Sequence, residues 1–196
     1  MILKIEGIFS TLTIMLYFLK GYKWTWDTRD ITVVSFEMCN LVLFLGIIIS
    51  QKRSNGDGFV LINLDIIYAL ISSCISTSLI FVIAFLLGAP LLNFGTFLIS
   101  IYLGIIAFKS YCILGYKNIL KMIINSPFLL PENPMLSPFY YSCLFAYLFS
   151  FFIAMDWPIE WRIWPHPLIT GTIFGKFIGI IHIISITDCQ IEKKSL

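Results

Sequence analysis

Long apolar runs separated by short polar connections make up nearly the whole chain. The runs fall near residues 5–19, 31–50, 66–87 (with an apolar extension back to Phe59), 91–108, 136–155 and 168–187. A helix that crosses a bilayer needs roughly 20 mainly apolar residues. The runs meet or approach that length, with Ile5–Leu19 the shortest. Strand-like alternation of apolar and polar positions is missing, so a β-barrel is not indicated. In lipid every backbone polar group must be satisfied within the protein, which makes these runs helices. Only Gly88-Ala89-Pro90 separates the third run from the fourth, so these two should form a tight antiparallel hairpin. The longest polar connection, Lys109–Met135, contains ILKMIINSPFLLPENPM. Ile119–Ile124 could lie there as an interfacial half-helix, ended by Pro127, Pro131 and Pro134. The pattern predicts an all-α, polytopic membrane protein. It is read as one integral membrane domain over residues 1–196, a bundle of about six transmembrane helices.

Composition agrees. Of 196 residues 59% are hydrophobic and 12% charged, against about 25% charged in soluble domains. That leaves too little polar surface to cover a water-soluble globule. The net charge of +2 does not suggest a nucleic-acid partner. Cys39, Cys74, Cys112, Cys143 and Cys189 are scattered without a C-x-x-C pair, which reads as small packing residues rather than a disulfide or metal framework. Lys4 and Glu6 precede an apolar stretch, and no small-residue cleavage site follows before Lys20, so no cleavable signal peptide is expected.

Lysine and arginine placement sets the expected orientation. With the N-terminus in the cytosol, cytosolic segments hold Lys4, Lys52, Arg53, Lys109, Lys117, Lys121, Lys193 and Lys194. Lumenal segments then hold Lys20, Lys23, Arg29 and Arg162, and Lys176 lies inside a helix. Both termini are expected in the cytosol. The last four residues, KKSL, place Lys193 and Lys194 as in a dilysine retrieval signal of the endoplasmic reticulum, which is read in the cytosol. The bland alternative is a solvated basic tail.

Candidate chemistry is sparse. The two histidines, His166 and His182, have no partner cluster with metal-ligand spacing. No G-x-S-x-G, phosphate-binding glycine loop or facing carboxylate pair occurs. No cofactor is implied. Ionisable residues inside apolar runs are costly and are functional candidates by default. Asp65 is followed by the 22 uncharged residues 66–87, which lets it sit at the cytosolic interface. Glu37 lies about 9 Å into the second run and Lys176 about 12 Å into the last, at helical rise. They form either a Glu37–Lys176 ion pair, two separately hydrated or snorkelling charges, or a contact to a ligand or headgroup. Gly171, Gly175 and Gly179 recur every four residues and therefore share one helix face. In lipid such a face lets two backbones approach closely, either inside this chain or against a partner subunit.

The connection before the last run reads DWPIEWRIWP, Asp156 to Pro165. Trp157, Trp161 and Trp164 are spaced so that one helical turn would bring them to one side. Pro158 and Pro165 bound that turn, and Asp156 could cap it. The stretch is either an interfacial aromatic belt or a rigid lumenal corner that docks a partner.

This stretch resembles that of the PIG-F family, the phosphatidylinositol-glycan biosynthesis class F proteins. Their pattern runs roughly D-W-x-x-P-W-Q-x-W-P, with glycines every four residues in the last helix. Asp156, Trp157, Trp161, Trp164 and Pro165 occupy matching positions, and Gly171, Gly175 and Gly179 match the glycine series. GAPLLNFGTFLIS from Gly88 and NLVLFL from Asn40 resemble two further family patches, in the same order and at similar spacing. Glu160, Arg162 and Pro158 depart from the pattern, and Glu37 and Lys176 are not part of it. The resemblance implies a non-catalytic, stabilising subunit in the endoplasmic-reticulum membrane. It would bind the large ethanolamine phosphate transferase subunits of glycosylphosphatidylinositol (GPI) anchor biosynthesis, similar to PIG-O and PIG-G. The alternative is a membrane lipid-modifying enzyme or carrier with its site around Glu37, Lys176 and His182.

Overall fold

The computed structural model describes residues 2–19, 26–54, 59–86, 93–119, 134–154 and 165–195. All of its long elements are helices: α1 Ile2–Leu19, α2 Trp26–Ser54, α3 Phe59–Leu86, α4 Phe94–Leu114, α5 Ser137–Ala154 and α6 His166–Ser195. A single 3-10 turn, Pro134–Leu136, leads into α5. Among the described residues five spans are long and apolar enough to cross a membrane: Asp30–Ser54, Ile62–Leu86, Phe94–Leu114, Pro134–Ile153 and His166–Ile186. The apolar part of α1, Ile5–Leu16, is shorter. The protein is therefore a multi-pass membrane protein, helical with no strand among the described residues. The Gly88-Ala89-Pro90 turn and the Leu120–Asn133 part of the long connection lie outside the described residues.

The chain gathers into two compact units: Met1–Trp24 with Pro131–Leu196, and Thr25–Leu130. In the first, α5 and α6 form an antiparallel pair. Gly171 faces Phe145 and Phe149, Gly175 faces Tyr141 and Ser142, and Gly179 faces Pro138 and Ser137. Position rises on one helix as it falls on the other, which fixes the direction. A side chain at these glycines would collide: an added Cβ would lie 2.9 Å from Phe149 Cβ at Gly171, 2.6 Å from Ser142 Cα at Gly175 and 2.7 Å from the Ser137 carbonyl carbon at Gly179. Only hydrogen at those positions lets the two backbones come this close. The glycine face thus packs inside the chain, on α5. Helix α1 packs on α6, where a Cβ added at Gly7 would lie 3.7 Å from Ile180 and 4.0 Å from Ile184.

In the second unit α4 packs on both α2 and α3. It starts at Asn93, whose side chain accepts from the Gly95 N–H at 2.8 Å. It ends at Gly115, where φ is +79 and the N–H donates to Tyr111 O at 3.1 Å. Nearly all of α4 is buried, with Tyr102, Ile99 and Ile106 among the most enclosed side chains. Helix α3 instead exposes Ile67, Leu70, Ile71, Ile75 and Leu79. In a chain that crosses a bilayer such a face suits lipid. Pairs between α3 and α4 run in opposite order, Ser76 with Tyr111 and Asp65 with Tyr116, so these helices are antiparallel.

Candidate functional site

The sequence offers charges inside apolar runs, and the structure assigns each a partner within its own unit. In the second unit Glu37 is fully buried on α2, and Lys109 of α4 donates to its Oε2 at 3.1 Å. The Lys109 side chain is 6% exposed and that of Glu37 is 0% exposed. The Lys109 ammonium also lies 5.7 Å from the Phe44 ring centroid, about two turns along the same face of α2 from Glu37. In the first unit Lys176 of α6 lies 3.9 Å from Glu6 Oε2 on α1, with side chains 3% and 8% exposed. Glu6, Ser10 and Thr13 fall on one face of α1 and are all buried. Thr13 returns its hydroxyl to Phe9 O at 2.8 Å.

Two of these partners, Lys109 and Glu6, escape a reading of the sequence. Lys109 follows the predicted end of its run and counts there as a cytosolic charge. In the structure α4 continues to Leu114 and buries it. That leaves seven of the eight basic residues on the side read as cytosolic. The one available signal was the apolar character of Tyr111–Leu114 beyond it. Glu6 looked like a polar flank of a short run, yet α1 begins at Ile2 and places it within the helix.

Asp65 is likewise inside a helix, since α3 starts at Phe59. It ties three elements together. Its Oδ2 pairs with Lys52 of α2. Its Oδ1 accepts the Tyr116 N–H at 2.7 Å, at the first residue of the helical turn that follows α4. A carboxylate there satisfies an otherwise orphaned N–H and sits favourably in the helix dipole. Tyr68 stacks on Tyr116 with ring centroids 5.9 Å apart.

The polar groups of α6 serve helix pairing as well. Ser142 of α5 donates to Thr172 O at 3.2 Å, and Ser137 Oγ lies 3.0 Å from His182 Nδ1. Tyr141 meets the His182 ring edge-on at 5.6 Å. His182 is exposed whereas Lys176 is 2% exposed. Six residues apart, they point about 120° apart around α6. They do not converge on one site. His166, at the start of α6, is buried, and its carbonyl accepts from Thr170 at 2.9 Å.

Of the loop singled out in the sequence, Asp156, Trp157, Trp161 and Trp164 lie outside the described residues. Pro165 is buried, and its carbonyl accepts the N–H groups of Leu168 and Ile169 at 3.0 and 3.2 Å, opening α6. Lys193 and Lys194 fall in the last turns of α6.

Comparison with known proteins bears on what this arrangement belongs to. The chain is 32% identical over 114 residues to "Glycosylphosphatidylinositol anchor biosynthesis protein 11" of Debaryomyces hansenii. That match covers 51% of this chain and 45% of the relative, so it spans about half of the relative's length. No solved structure matches the chain significantly. The family described as "GPI biosynthesis protein family Pig-F" matches residues 9–183, which takes in α2 to α5 whole and most of α1 and α6. The chain belongs to the PIG-F family of GPI biosynthesis proteins.

Proposed function

We propose that this protein is a non-catalytic subunit that stabilises the ethanolamine phosphate transferases of GPI anchor assembly in the endoplasmic-reticulum membrane. The family match over residues 9–183 carries the reading. The relative named for GPI anchor biosynthesis supports it. So does the use of the buried charges: Glu37, Lys109, Glu6 and Lys176 are spent on joining helices. The partners are large transferase subunits similar to PIG-O and PIG-G. In this reading both termini are cytosolic, Lys193 and Lys194 act in retrieval, and Asp156–Pro165 is a lumenal corner that docks the transferase.

Affinity capture of the tagged full chain, followed by mass identification, tests the subunit reading. A much larger transferase subunit should co-purify, and cells lacking the chain should accumulate GPI intermediates without ethanolamine phosphate on the third mannose. Transfer activity in the chain purified alone would overturn it. A glycosylation acceptor placed between Pro158 and Trp164 should be modified, and one appended after Leu196 should not. The reverse pattern would invert the topology. Trp161→Ala and Asp156→Ala should weaken capture while membrane insertion stays normal, since tryptophan anchors are often worth about 2 kcal/mol or more. Silence in both variants would leave an aromatic belt as the account of the loop.

A further inference from the structure

The hydroxyls of α1 are not all used in the same way. Thr11 and Thr13 return theirs to Ile8 O and Phe9 O at 2.7 and 2.8 Å. On α6, Thr170 and Thr172 do the same to His166 O and Leu168 O. This is the ordinary recourse of a hydroxyl on a helix. Ser10 does not take it. Its side chain is wholly enclosed, and its Oγ has no hydrogen-bond partner among the described residues. A buried hydroxyl that makes no hydrogen bond forfeits what it had in water, so such an atom calls for a partner that the two helices do not themselves supply.

The ion pair one turn away is the second observation. Side chains four residues apart on a helix are neighbours, with Cβ atoms about 5–6 Å apart, which sets Ser10 beside Glu6 on the buried face of α1. Glu6 Oε2 stands 3.9 Å from Lys176 Nζ of α6, the helix on which α1 packs. A charge-assisted hydrogen bond between such groups is usually about 2.7–2.9 Å long. A water oxygen about 2.8 Å from each ion spans the gap. The Glu37–Lys109 pair, at 3.1 Å, closes directly. Opening a buried pair weakens its attraction without relieving the desolvation of either ion, so an open pair persists where further hydrogen bonds serve both charges.

We propose that the α1–α6 seam holds one ordered water, which accepts from the Ser10 hydroxyl and the Lys176 ammonium and donates to Glu6 Oε2. Three hydrogen bonds are typical of a buried water. The same molecule gives Ser10 its partner and accounts for the spacing of Glu6 and Lys176. Helix α1 then joins α6 through water, where α5 joins it backbone to backbone.

The test is water-edited solid-state NMR of the full chain in lipid bilayers, which reads how fast proton polarisation passes from water to each carbon. Ser10 Cβ and Lys176 Cε should build up several-fold faster than Ser142 Cβ, which is equally enclosed but bonded directly to Thr172 O. Ser10→Thr keeps the hydroxyl, and Ser10→Val puts a methyl of like size in its place. Lys176 should keep its fast build-up in the first variant and lose it in the second. Equally slow build-up at Ser10 and Ser142 would overturn the proposal, since the Ser10 hydroxyl would then turn back to its own helix as that of Thr13 does. Undiminished build-up at Lys176 in Ser10→Val would also overturn it. So would equally fast build-up at Ile180, a buried neighbour of α1 on α6, because the seam would then be open to bulk water. Should the β-branched variants fail to fold, the wild-type comparison of Ser10 with Ser142 and Ile180 decides the question alone.

Discussion

Lys109→Met is the most informative single change in the molecule. Lys109 Nζ lies 3.1 Å from Glu37 Oε2, and both side chains are almost wholly enclosed. At that separation the attraction is about 5 kcal/mol for an effective dielectric near 20. Desolvating each ion opposes it by several kcal/mol, so the pair as a whole contributes little net stability. Removing one partner is different, because the attraction goes and the remaining charge stays buried. The usual cost is about 3–5 kcal/mol. For a chain of this size, at about 2–4 °C per kcal/mol, Lys109→Met should melt about 10 °C below the wild type. Glu37→Gln with Lys109→Met removes both charges and keeps comparable volumes. It should recover at least half of that loss. The measurement is the fraction of monodisperse protein in detergent after heating, read by size-exclusion chromatography of a fluorescent fusion. A double variant whose loss equals the sum of the two single losses would refute the coupling and, with it, the assignment of Lys109 as the partner of Glu37.

Other substitutions separate the remaining contacts. Gly175→Ala should cost about 1–3 kcal/mol by overpacking against α5, whereas Gly46→Ala, with open space around it, should hold or raise the melting temperature by up to about 4 °C through helix propensity; equal effects would show that the seam is not where the structure places it. Gly175→Leu should lower the amount of folded chain itself, and normal chain levels with loss of the transferase would instead make the seam an interface. Asp65→Asn and Asp65→Ala both remove the Lys52 ion pair, but Asn keeps an acceptor for the Tyr116 N–H and should be milder in the same melting assay; equal losses would show that the charge matters and the hydrogen bond does not.

Which elements exist was legible from the sequence because backbone satisfaction in lipid leaves little choice. Their ends were not. Helix α2 begins at Trp26 instead of near 31, α3 takes in the whole apolar extension back to Phe59 ahead of its run at 66, and α4 runs to Leu114 instead of near 108. Two of these three differences have one cause. An ionisable residue ends an apolar run in a hydropathy pattern, but it does not end a helix when a neighbouring helix supplies the counter-charge. Asp65 has Lys52 and Lys109 has Glu37, so the helices continue through them. The glycine spacing on α6 was legible because a period of four maps directly onto a helix face. The helix it faces was not, since any apolar run could have met it. Glu37 and Lys176 stood out as buried charges, but depth along a helix does not identify the partner. Lys109 reaches Glu37 with a long flexible side chain, and the α1 register sets Glu6 beside Lys176.

The two units join their helices by different means, and the difference has consequences. Between helices in lipid there is no hydrophobic driving force, because an acyl chain is as apolar as a leucine. Specific pairing must come from close packing or from polar contacts. The α5–α6 pair uses close packing: three glycines admit backbone to backbone, and Ser142 to Thr172 O and Ser137 to His182 add polar contacts across it. Helix α4 sets one glycine, Gly104, against the Thr77 side chain of α3, but it meets no facing backbone there; it is joined to α2 by Glu37–Lys109 and to α3 by Ser76–Tyr111, with Asp65 holding the Tyr116 N–H just past its end. A backbone seam tolerates no added methyl, since the colliding atoms are main-chain atoms of the facing helix. A charge pair tolerates replacement of both members by apolar residues of like volume, and fails when only one changes. The glycines of α6 are therefore constrained one at a time, whereas Glu37 and Lys109 are constrained as a pair. Substitutions tolerated at Glu37 should be those accompanied by a matching loss of charge at Lys109.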